Sequence, residues 1–126
     1  MVDSPRLIYY SAVIMKSGHT LGSFESMLLL AVLRLGEQAY GVTIRRELLT
    51  KANKDVAIGA IYTGLERLKR KGFVESWLGD PTSARGGRAK RYYCLTARGL
   101  KILNDTQRAI QGLMVGLSLA EGDANA

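Results

Sequence analysis

The sequence predicts a mainly α-helical chain carrying one small β-hairpin, an α+β fold of modest size. Apolar residues recur at helical spacing over three successive stretches between Phe24 and Lys71. The pattern then switches to two short β-branched or aromatic runs around a Gly-, Pro- and Ser-containing loop, and helical spacing returns after Thr96. At 126 residues with 47% hydrophobic content, the chain suffices for one compact domain plus an appended element.

The first helix is expected from Phe24 to Leu35, with Phe24, Met27, Leu28, Ala31, Val32 and Leu35 on one face, Ser23 as N-cap and Gly36 as the stop. Leu29, Leu30 and Leu33 form a second apolar stripe. A helix apolar on two sides is buried on two sides, so this one is expected to meet both its own core and a partner. The second helix runs from about Gly41 to Lys51, with Val42, Ile44, Leu48 and Leu49 inward and Arg45, Arg46 and Glu47 outward, and the polar segment Lys51–Asp55 breaks it. The third runs from about Gly59 to Lys71, with Ile58, Ile61, Leu65 and Leu68 inward and Gly72 closing it.

Phe73–Leu78 and Lys90–Leu95 read as the two strands of a hairpin whose tip is Gly79–Ala89. Thr96 is placed to cap a final helix. Its residues Leu100, Leu103, Gln107, Ile110, Met114 and Leu117 follow the 3-4 spacing of a coiled-coil seam, with Gln107 the polar member. Gly112 and Gly116 each weaken that helix by roughly 1 kcal/mol relative to Ala, so it needs packing to persist. The organisation expected is an N-terminal extension over 1–20, a folded domain over 21–96, a dimerisation helix over 97–118 and a disordered tail over 119–126.

Charge is distributed unevenly. The chain carries +7 overall, yet residues 45–101 hold 14 Lys and Arg against five Asp and Glu. Such a field concentrates polyanions, and each phosphate neutralised releases counterions, so double-stranded DNA is the leading partner and binding to it should weaken with salt. The single cysteine, Cys94, excludes an internal disulfide framework and suits a reducing compartment, with the cytoplasm as default. The apolar stretch Leu7–Met15 is too short to span a membrane, which takes ~20 residues, and no small-residue cleavage site accompanies it. Clear patterning begins only after Met15, which makes that residue an alternative start.

Three helices followed by a long-tipped hairpin is the order of a winged helix-turn-helix, in which one helix enters the major groove and the hairpin reaches the backbone. With Ile61, Leu65 and Leu68 inward, the opposite face of the third helix is expected to present Ala60, Thr63, Gly64, Arg67 and Lys71. Small residues near Gly59 permit close approach, and the planar guanidinium of Arg67 suits guanine. Arg67, Lys69, Arg70 and Lys71 would also serve as an ordinary solvated face. Arg85, Arg88, Lys90 and Arg91 surround the Gly86-Gly87 pair with no acid among them, the pattern of a phosphate-gripping tip.

The stretch Gly59-Ala-Ile-Tyr-Thr-Gly-Leu-Glu-Arg-Leu-Lys-Arg-Lys-Gly72, then Gly86-Gly-Arg-Ala-Lys-Arg-Tyr-Tyr-Cys-Leu-Thr96 and Gly99, with Tyr40-Gly41 upstream, resembles the PadR-like family of winged-helix transcriptional regulators. The resemblance spans roughly residues 21–110. It implies a homodimeric repressor whose third helix and wing bind operator DNA, with dimer contacts from the C-terminal helix. A twofold dimer would make that operator an inverted repeat, and the second apolar stripe makes Leu29 and Leu33 the expected second contributors to the dimer. It also gives Tyr62 a role at the DNA backbone, against the alternative of a ring packed beside Leu65. Two departures stand out. Ala57 replaces the family's usual Ser and Ala60 its common Thr, and each removes a hydroxyl able to cap the helix or meet phosphate.

Nothing in the sequence points to an enzyme, a metal or a cofactor. One His (His19) and one Cys form no pair at ligand spacing, and Gly86-Gly87 is not followed by the Lys-Ser/Thr of a nucleotide-phosphate loop. Cys94 shares a strand face with Lys90 and Tyr92, which suggests partial exposure. A winged-helix module that docks an acidic protein is the alternative function, and a small-molecule effector is left unspecified.

Overall fold

The computed structural model describes residues 20–80 and 89–119. In chain order they form helix α1 (Ser23–Leu35), a 3-10 turn (Gly36–Gln38), α2 (Gly41–Ala52), α3 (Ile58–Arg70), strands β1 (Val74–Leu78) and β2 (Arg91–Leu95), and α4 (Ala97–Met114). This is the expected order of three helices, a hairpin and a closing helix. Residues 21–102 form one compact unit, and α4 from Leu103 onward belongs to a second.

The core of the first unit is built from Leu28, Leu29 and Val32 of α1, Ile44 and Leu48 of α2, Ile61, Leu65 and Leu68 of α3, and Val74 and Tyr93 of the hairpin, all buried. Each such side chain contributes roughly 1.5–3 kcal/mol on leaving water. Ion pairs tie the helices at the surface: Arg34 to Glu47 at 2.6 Å joins α1 to α2, and Lys71 to Glu25 at 2.8 Å joins the end of α3 to the start of α1. Exposed pairs of this kind add only about 0–1 kcal/mol each, so apolar burial dominates.

The hairpin is antiparallel, in register from Val74 opposite Leu95 to Leu78 opposite Arg91, and the ladder extends one bond further from Gly79 N–H to the Lys90 carbonyl. Its far edge is covered. The Tyr93 N–H donates to the Ala39 carbonyl at 3.0 Å, and Tyr40 forms an isolated antiparallel bridge with Tyr92, so the segment before α2 lies along β2, a contact that the sequence did not announce. Thr96 caps α4 as expected, accepting from the Gly99 N–H at 3.0 Å, while its own hydroxyl donates to the Gly72 carbonyl at 2.6 Å. One threonine therefore joins the end of α3, the hairpin and the start of α4.

Several local expectations are corrected. Gly22, not Ser23, is the N-cap of α1, and Ser23 is already helical with no capping bond. Val42 and Leu49 are about half exposed, because α2 is covered along one side only and Ile44 and Leu48 fill that seam. Gly64 faces the core rather than solvent: a Cβ there would lie 2.6 Å from Leu28 Cδ1 and 3.1 Å from Phe24 Cε2, so α1 already occupies that space. The final helix stops at Met114 and Gly116 adopts a φ of 85°, which puts Leu117 outside the helix that was to carry it.

Candidate nucleic-acid interface

Burial of Gly64 rotates the outer face of α3. Ile61, Gly64, Leu65 and Leu68 point inward, and at about 100° per residue the direction opposite their mean is occupied, to within about 30°, by Gly59, Thr63, Glu66 and Arg70. Arg67 lies about 70° to one side of that line and Tyr62 about 70° to the other. Neither Glu66 nor Arg70 was expected from sequence as a DNA contact. The signal was present in the spacing, but assigning Gly64 to the solvent side turned the helix by most of a residue.

The residues expected on this helix fall into distinct places. Gly59 and Ala60 are exposed in the first turn, and the N-cap Ala57 makes no side-chain capping bond, as its missing hydroxyl foretold. Thr63 is exposed, but its hydroxyl donates to the Gly59 carbonyl at 2.9 Å, so outward it offers an acceptor oxygen and a methyl group rather than a donor. Arg67 and Arg70 are exposed with no ion-pair partner among the described residues. Lys71 is the C-cap, ~18 Å along the helix from Gly59, and its ammonium is engaged by Glu25. It is the weakest candidate of the set.

Tyr62 leans toward α2, its hydroxyl and ring lying against Gly41. A Cβ at Gly41 would collide with the Tyr62 hydroxyl and ring, so only glycine lets the phenol lie over the first turn of α2. That supplies a physical reason for the Tyr40-Gly41 pair. Tyr62 remains 42% exposed.

From Tyr62 the surface runs to the base of the hairpin. Tyr40, Val42, Tyr62, Glu66, Leu78, Ala89, Lys90, Arg91 and Tyr93 line one open depression, which brings the outer side of α3 and two of the four expected hairpin cations to a common groove. The Lys90 ammonium lies 5.1 Å from the centre of the Tyr40 ring, and the Arg91 guanidinium donates to Ser76 Oγ at 3.1 Å. Trp77 stacks on Tyr92 at 6.0 Å and Tyr92 meets Tyr40 edge-on at 5.4 Å, so the wing base is braced by a run of aromatics. Burial raises the Tyr93 phenol above its ordinary value of 10.0, opposed by Arg91 and reinforced by Tyr62 and Glu66. Arg85 and Arg88 lie outside the described residues, as do Gly86, Gly87 and His19.

The residues expected to form a dimer divide in two. Leu29 is fully buried and Leu103 is 2% exposed within one chain, so neither has surface to offer a second copy. Leu33, Leu100, Ile110 and Met114 are exposed, Gln107 is half-buried, and Leu117 is exposed beyond the helix end. Leu113, absent from the expected seam, is 80% exposed. Cys94 is half-buried. No helix among the described residues is long and apolar enough to cross a membrane.

A model of the transcriptional regulator PadR-like family matches residues 29–105, more than half of the chain. No curated protein sequence matches. Solved structures do. A transcriptional regulator from Clostridium thermocellum superposes with a TM-score of 0.60 at 20% identity, over 71% of this chain and 84% of that one. A PadR-like transcription factor from Bacteroides fragilis gives 0.57 at 26%, over 71% and 85%. RosR of H. salinarum gives 0.61 at 23%, over 86% and 91%.

Proposed function

The chain belongs to the PadR-like family of transcriptional regulators, a family of regulators rather than enzymes, and from that premise we propose that it is a sequence-specific, homodimeric repressor that grips duplex DNA between α3 and the hairpin. The observation that carries this reading is the shared groove: Tyr62 and Glu66 on α3 line the same depression as Lys90 and Arg91 at the wing base. In it α3 enters the major groove, with Gly59, Ala60 and Thr63 allowing close approach, Arg67 supplying a planar donor for guanine and Arg70 meeting a phosphate. Lys90, Arg91 and the Arg85 and Arg88 of the tip hold phosphates, which positions the domain without reading bases.

A folded unit over 21–96 reads the DNA, and the helix from 97 dimerises through the exposed Ile110, Leu113 and Met114, joined by Leu33 and Leu100. A symmetric dimer presents two copies of α3 to half-sites about one helical turn apart. The protein acts in the cytoplasm on an inverted-repeat operator. Footprinting tests this directly: protection should fall on an inverted repeat. Arg67→Ala should relax one base position by roughly 1–3 kcal/mol, while Arg88→Ala should weaken all sequences alike. Asymmetric protection, or none in low salt, would overturn it.

A further inference from the structure

Glu66 is the acid among the four residues on the outer line of α3, and it borders a groove whose other side carries Lys90 and Arg91. It is exposed, and no ion pair engages it among the described residues, although Arg70 stands one turn further on. A carboxylate on a face turned toward a polyanion repels phosphate and lowers affinity for every duplex alike, unless it meets a donor.

In the major groove such donors are few. Guanine shows N7 and O6, thymine O4 and a methyl group, and adenine an N6 amino group beside the N7 acceptor, whereas cytosine shows the N4 amino group without an acceptor of its own beside it. An ionised carboxylate accepts only. Against guanine or thymine it faces lone pairs, and against adenine its second oxygen faces N7. Cytosine alone satisfies it.

We propose that Glu66 is a specificity-determining residue, accepting a hydrogen bond from cytosine N4 and rejecting the other three bases at one position of each half-site. This rests on the DNA-binding reading and deepens it. The acid gives up general affinity and gains discrimination, a trade that the neighbouring arginines cannot make.

Selection of bound sequences from a random duplex pool, using the full-length protein, tests it. The wild type should select cytosine at one position per half-site, with other bases there bound roughly ten-fold more weakly. Glu66→Ala should keep the rest of the motif, lose preference at that position and bind random duplex more tightly. Glu66→Gln should move the preference to adenine, because an amide pairs with both N6 and N7. Cytosine retained in both variants would overturn the proposal while leaving the regulator reading intact. Failure of the wild type to retain any duplex in low salt would overturn both.

Discussion

At the scale of single residues, one glycine decides which side of a helix meets its partner. With Gly64 pressed against Leu28 and Phe24, an added methyl has nowhere to go, and Gly64→Ala should lower stability by roughly 1–3 kcal/mol in chemical denaturation. An unchanged midpoint would mean that the Leu28 and Phe24 side chains yield to the added methyl. The reverse holds at Ala57, whose N-cap position is extended and unfilled: Ala57→Ser should raise stability by about 1 kcal/mol, measured the same way. Tyr93 makes a prediction in pH. Its phenol is raised above 10.0 by burial, so the stability linked to its neutral form is complete below the unfolded value and is lost as pH rises through the higher folded value. Thermal midpoints should therefore fall above about pH 10, and less so in Tyr93→Phe. An equal fall in both proteins would place the alkaline sensitivity elsewhere.

At the scale of elements, the closing helix separates stability from assembly. Ile110 and Met114 are exposed in one chain whereas Leu103 is buried, so Ile110→Glu with Met114→Glu should yield folded monomers by sedimentation. Leu103→Ala should instead destabilise the fold by about 2–5 kcal/mol, and a dimer persisting in the double variant would refute the proposed seam. Much at this scale was legible in the sequence, for local reasons. Helices α1 to α3 carry their own periodicity and both strands their own β-branched or aromatic composition, Gly36 and Gly72 mark stops, and Thr96 caps α4 through a bond three residues away. What escaped depends on distant partners. Leu29 read as part of a stripe meeting a partner until α1 was seated in the core, Val42 and Leu49 are apolar yet uncovered, and Tyr40 forms its bridge only because β2 lies beside it. Within the site, residue types were readable and the helix rotation was misread, since a glycine has no side chain to declare which way it faces and Gly64 was set on the solvent side.

At the scale of the whole molecule, the proposed function has two cationic elements acting on a single polyanion. The hairpin base and α3 are held in fixed relation by the Thr96 bonds, the buried Tyr93 and the braced aromatics, so in the proposed complex their charges would approach a duplex together rather than in turn. Removing one charge from each element should then subtract from a common electrostatic term. The most direct measurement is the dependence of duplex affinity on salt for the wild type, Arg70→Ala, Arg91→Ala and the double variant. Each single change should lower the log–log slope by about one and the double change by about two, on specific and random duplex alike. A flat slope in the wild type, or one that the double variant leaves unchanged, would contradict the account.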